Sequence, residues 1–109
     1  MKVPHLNETE ILILSAVSGD ERYGLEIRDD VKKLTGGKRE ISLGGLYVTL
    51  KRMEDKGLVA ARWGDATEER QGARRRYYKI TGLGAAALRH AREIYSAAFR
   101  QSSFGLGRA

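Results

Sequence analysis

The stretch ISLGGLYVTLKRMEDKGLV, residues 41–59, holds one helix over 43–56 with two unlike faces. Ser42 offers a side-chain acceptor to the free amides of a helix start, and Gly57 closes the segment with a residue that tolerates left-handed backbone. Between them Leu43, Leu46, Leu50 and Met53 recur at spacings of 3, 4 and 3 and form a core stripe. The opposite face carries Gly44, Val48, Lys51, Arg52 and Asp55. Gly44 and Gly45 each cost about 1 kcal/mol of helix propensity relative to Ala in a helix interior. Small residues there allow this end of the helix to approach another surface closely.

Upstream, Asn7 and Glu10 have the spacing of a capping box for a helix running to about Ser18. Ile11, Leu12, Ile13, Leu14, Ala16 and Val17 then surround nearly the whole helix, so it is buried on more than one side. GDERYG (19–24) reads as a turn. A second helix follows to about Thr35, with Leu25, Ile27, Val31 and Leu34 as apolar positions and Gly36-Gly37 as its stop. KREISL (38–43) is either a short strand or a link.

Downstream, LVAARWGD (58–65) and ARRRYYKIT (73–81) both alternate, with the polar ATEERQG (66–72) between them. The pattern is that of a β-hairpin. Val59, Ala61 and Trp63 share one strand face, and Trp63 is expected to pack in the core or on the strand. Thr81 caps a last helix to about Gln101, ~30 Å long at 1.5 Å per residue. Its apolar residues span an arc far wider than one core contact needs, so a second partner is expected on this helix. His90 falls within that arc and reads as a buried interface histidine. Residues 101–109 read as a frayed tail.

The 109 residues suffice for a modest core. No apolar run approaches the ~20 residues of a membrane span, and no signal region opens the chain, so an intracellular, cytoplasmic protein without membrane contact is expected. The absence of cysteine excludes disulfides and thiolate metal sites. His5 and His90, far apart in sequence, do not make a metal centre, and no cofactor is expected. There is no P-loop, no nucleophile elbow and no metal-ligand spacing, which argues against an enzyme.

The charge is distributed unevenly. Residues 1–30 hold three basic and seven acidic side chains, whereas residues 31–109 hold seventeen and seven, for a formal net charge of +6. Arg70, Arg74, Arg75, Arg76 and Lys79 lie within ten residues that contain no acid. A basic patch of this kind is the footprint of a polyanionic partner. The order of elements (three helices, a basic hairpin, a long helix) is that of a winged helix-turn-helix, with the third helix able to enter a major groove. The expected fold class is mainly α (α+β). Residues 1–81 would form the DNA-binding domain, and 82–109 the dimerisation helix and tail.

YGLEI (23–27), ISLGGLYVTLKRMEDKGLV (41–59) and RRRYYKIT (74–81) together resemble the PadR-type transcriptional regulators over roughly residues 10–95. The resemblance implies a homodimeric, sequence-specific DNA-binding regulator, usually a repressor, acting on double-stranded DNA at a near-palindromic operator. Helix 43–56 would enter the major groove and the wing 66–76 would lie on the backbone. The DNA-contacting residues would be Tyr23, Ser42, Gly44, Gly45, Tyr47, Val48, Lys51, Arg52, Arg74, Arg75 and Arg76. The dimer interface would hold Ile11 and Leu14 of the first helix with Leu83, Ala87, Leu88, Ala91, Ile94, Tyr95, Ala98 and Phe99 of the last. Tyr23 and Leu25 stand where the family usually has His and Tyr, and Gly45 and Val48 where it has Thr and Pro. Val48 is suited to a thymine methyl. Some relatives bind flat aromatic drugs between tryptophans of the dimerising helices. Here the only Trp lies on the hairpin, and a small aromatic effector is not signalled. The alternative is a winged-helix module for protein–protein contact without specific DNA binding.

Overall fold

Asn7 and Glu10 form the expected reciprocal cap in a computed structural model that describes residues 2–65 and 74–103. The Asn7 side chain accepts from the Glu10 amide at 2.9 Å, and the Glu10 carboxylate accepts from the Asn7 amide at 2.9 Å. This cap starts α1 (Glu8–Ala16). The elements that follow are β1 (Arg22–Tyr23), α2 (Gly24–Leu34), α3 (Leu43–Asp55), β2 (Val59–Trp63), β3 (Arg76–Ile80) and α4 (Gly82–Gln101). Ser42 and Thr81 cap α3 and α4 by accepting from Gly45 and Gly84. The 38–42 segment is a link rather than a strand.

β2 and β3 pair antiparallel, with Trp63 opposite Arg76 and Val59 opposite Ile80. The sequence reading missed a third strand. Arg22 and Tyr23, read as part of a turn, pair with Tyr78 and Tyr77, so the sheet order is β1-β3-β2. A two-residue strand has no period to detect; only its distant partner defines it.

The core joins α1, α2 and α3 to the sheet. Leu46, Leu50 and Met53 of α3 are fully buried, together with Ile13 and Leu14 of α1 and Ile27 and Val31 of α2. Leu58, Val59 and Tyr78 close the core from the sheet side. The first half of α4 belongs to this core as well, through Gly84, Ala87 and Ala91. Gly84 is required by close approach: a Cβ there would lie 2.2 Å from the Leu58 carbonyl oxygen. Glu10 is the one buried charge among the described residues, and Lys56, just past α3, donates to it at 2.8 Å. The result is a winged-helix fold of four helices and a small antiparallel sheet.

Candidate nucleic-acid interface

The outer face of α3 is open. Gly44, Gly45, Tyr47, Val48, Lys51 and Arg52 are all exposed, while the opposite stripe has no solvent contact at Leu46, Leu50 and Met53. Lys51 pairs with Asp55 one turn on at 3.2 Å, an exposed pair worth a few tenths of a kcal/mol and readily exchanged for another anion. Ser42 caps the helix and remains exposed, so its hydroxyl and the adjacent amides lie at the positive end of the helix dipole.

Tyr47 leans from α3 onto the start of α2. A Cβ on Gly24 would meet the Tyr47 hydroxyl oxygen at 2.1 Å, so glycine is needed for the ring to lie there. The ring is still 43% exposed, and its hydroxyl marks the seam between the two helices. Tyr23, immediately before Gly24, receives no side-chain cap bond; the Glu26 carboxylate accepts from its amide at 3.1 Å. Leu25 is exposed.

Beside α3 the wing's cations are held by aromatic rings. The pleat extends far enough to put Arg76 on the face of Tyr78, whereas Arg74 and Arg75 precede the strand. Arg76 lies 4.8 Å from the Trp63 ring centre and donates to Glu54 of α3 at 3.2 Å. Arg74 lies 5.9 Å from the same ring and donates to the Gly64 carbonyl at 3.0 Å. On the other side Arg75 stacks 4.3 Å over Tyr23, which meets Tyr77 edge-on, and Arg62 stacks 4.6 Å over Tyr77. Arg62 also grips Glu21, whose carboxyl is held below its ordinary range by that hydrogen bond. Burial raises the Tyr78 hydroxyl above the usual tyrosine value, as expected for the inward side of the strand.

Of the two placements expected for Trp63, the strand one holds: the residue is 53% exposed, and its ring lies against the guanidinium groups of Arg74 and Arg76. Arg76, expected with Arg74 and Arg75 among the DNA contacts, is paired with Glu54 in a partly buried ion pair. Arg70 and the loop 66–73 lie outside the described residues.

The two halves of α4 differ. Leu83 and Leu88 are half-buried against the core. Leu14, Ala87 and Ala91 point into the protomer's own core, at 0%, 1% and 8% exposure, so they have almost no surface to give a second copy. Ile94, Tyr95, Ala98 and Phe99 are exposed, and the Tyr95 and Phe99 rings lie 6.5 Å apart. Ile11 on α1 is half-buried. His90 is exposed on the single protomer, on a groove that also takes in His5 and Tyr95. Among the described residues no cluster of ligands suits a metal ion, and no helix is long and apolar enough to cross a membrane.

Comparison with known proteins bears on this geometry. The PadR-like transcriptional regulator family matches residues 13–90. An uncharacterised protein from Lysinibacillus sphaericus is 35% identical over 77 residues, covering 71% of this chain and 68% of the relative. A PadR family transcription regulator from Clostridium difficile R20291 superposes with a TM-score of 0.71 at 29% identity, covering 86% of this chain and 93% of that one. Bacillus subtilis PadR, solved in complex with operator DNA, shares the fold at a TM-score of 0.69 and 19% identity, over 89% of this chain and 60% of that one. The chain belongs to the PadR-like family, and is a DNA-binding transcriptional regulator rather than an enzyme.

Proposed function

We propose that the protein is a cytoplasmic homodimeric repressor that occupies a near-palindromic operator. Two copies of α3 would enter successive major grooves about one helical turn, ~34 Å, apart. The observation that carries this reading is the contrast across α3: a fully buried Leu46–Leu50–Met53 stripe behind an exposed face of Gly44, Gly45, Val48, Lys51 and Arg52. Such a helix is fixed firmly from behind while its outer face stays free for base edges. Tyr47, Ser42 and Tyr23 flank it as candidate phosphate contacts, and Arg74 and Arg75 extend the basic surface along the wing. The B. subtilis relative solved in complex with operator DNA supports DNA as the partner.

The dimer would form through the second half of α4. Ile94, Tyr95, Ala98 and Phe99 present an apolar stripe beyond the protomer's core, with Leu83, Leu88 and Ile11 at its margin. Removing all of 82–109 would also strip Gly84, Ala87 and Ala91 from the core. The clean variant is therefore Ile94→Glu with Phe99→Glu. It should give a folded monomer by sedimentation with poor operator affinity; a variant that remains dimeric refutes the interface.

The operator itself is recovered by selecting bound fragments from random or genomic DNA. Enrichment of an inverted repeat, with affinity that falls steeply as salt rises, is the expected result. Recovery of no motif, with weak salt dependence, would favour a protein-contact module instead.

A further inference from the structure

Trp63, Arg76 and Glu54 form a chain of contacts that runs from the recognition helix to the wing. It begins at Glu54 in the last turns of α3, which accepts from Arg76 Nη2 at 3.2 Å. It continues through the Arg76 guanidinium to the Trp63 ring, 4.8 Å away on the paired strand. It ends at Arg74, 5.9 Å from the same ring. Arg76 and Glu54 have side chains only 27% and 30% exposed, so their charges are satisfied by each other. Arg74 is exposed and has no acidic partner among the described residues. Two guanidinium groups lie within about 6 Å of the half-exposed Trp63 ring, close enough for its face to attract both.

We propose that Glu54, Arg76 and Trp63 are positioning residues that fix the wing's angle to α3 and aim Arg74 at the phosphate backbone. Arg76, despite standing in the run of three arginines, is an internal brace. The inference rests on the DNA-binding reading above and divides the cations of the wing into two kinds. Arg74 contributes charge to the complex. Arg76 contributes geometry, because its charge is spent on Glu54. Trp63 limits the rotamers of Arg74, so less side-chain freedom is lost when phosphate is met.

A fluorescein-labelled 30-base-pair duplex of mixed sequence is a sufficient probe, since phosphate contacts are independent of sequence. Its anisotropy is titrated over a salt series with wild type, Arg74→Ala, Arg76→Gln, Trp63→Ala and Trp63→Phe, each checked for native helical content. Arg74→Ala should reduce the salt slope by about 0.9 per protomer, one phosphate contact. Arg76→Gln and Trp63→Ala should weaken binding about two- to fivefold, the scale of one stacked guanidinium, with the wild-type slope retained. Trp63→Phe, which keeps an aromatic face, should restore most of the loss. Glu54→Gln combined with Arg76→Gln should cost no more than Arg76→Gln alone, because the two act as one brace. A slope reduced in Arg76→Gln as much as in Arg74→Ala would make Arg76 a phosphate contact and overturn the inference alone. Unchanged affinity in Trp63→Ala would also overturn it. A wild-type protein that fails to bind the duplex would overturn the DNA-binding reading and this inference with it.

Discussion

The outer face of α3 and the wing beside it are both exposed and both basic, yet they are built on opposite plans. On α3 the outward residues are small, apolar or loosely paired, and the order comes from the buried stripe behind them. On the wing the outward residues are long cations, and the order comes from aromatic rings that the same surface displays. The first plan leaves a face free to match base edges. The second holds charge in fixed places, which suits a backbone that is the same for every sequence. The difference fits the proposed reading, in which affinity and sequence preference are carried by separate parts of the molecule.

The largest effect should come from removing what both surfaces share. Leu50→Ala empties a fully buried position under α3 and should destabilise the fold by about 2–5 kcal/mol in chemical denaturation. Both surfaces should then fail together. Gly84→Ala forces a methyl against the Leu58 carbonyl where the wing strand meets α4, and should cost about 1–3 kcal/mol. Gly24→Ala should be milder, because its new methyl meets the end of a movable side chain, Tyr47. It should displace that ring and alter contacts along α3 while leaving the wing's salt dependence intact.

These positions also show which parts of the design were legible in the sequence. The caps at Asn7, Ser42 and Thr81 are local, so the helix starts were readable, and the α3 stripe was readable from its spacing. β1 was not, because Arg22 and Tyr23 become a strand only by pairing with residues more than fifty positions away. For Trp63 the sequence left core and strand packing open, because nothing in the chain order announces that Arg74 and Arg76 flank it. The apolar arc of α4 is wider than the part the protomer's own core covers. Its division into an inner half at Ala87 and Ala91 and an outer half at Ile94 and Phe99 depended on where the core ends.

Acid should weaken the scaffold through Glu10. Burial is the largest single influence on Glu10 and pushes its pKa upward. The hydrogen bond from Lys56, the Asn7 amide and the charges of Lys56 and Arg52 together outweigh it, so the carboxyl stays below its ordinary range. A depressed folded-state value means that the stabilisation is present at neutral pH and is lost as pH falls from about 5 through the folded value. Glu10→Gln should flatten that acid limb in denaturation measured across pH; an unchanged limb would show that other carboxylates govern it. The smallest effect expected is that of Val48→Ala. It should leave the fold and the salt slope unchanged and relax the choice of base at one position of each half-site, seen by repeating the fragment selection.

The division of labour is tested most directly by the specificity ratio of Arg74→Ala, its affinity for the selected operator over that for a mixed-sequence duplex at one salt concentration. The account predicts that both affinities fall by the same factor and the ratio is that of wild type. A ratio that collapses toward one would place sequence reading in the wing and contradict the assignment of that task to α3.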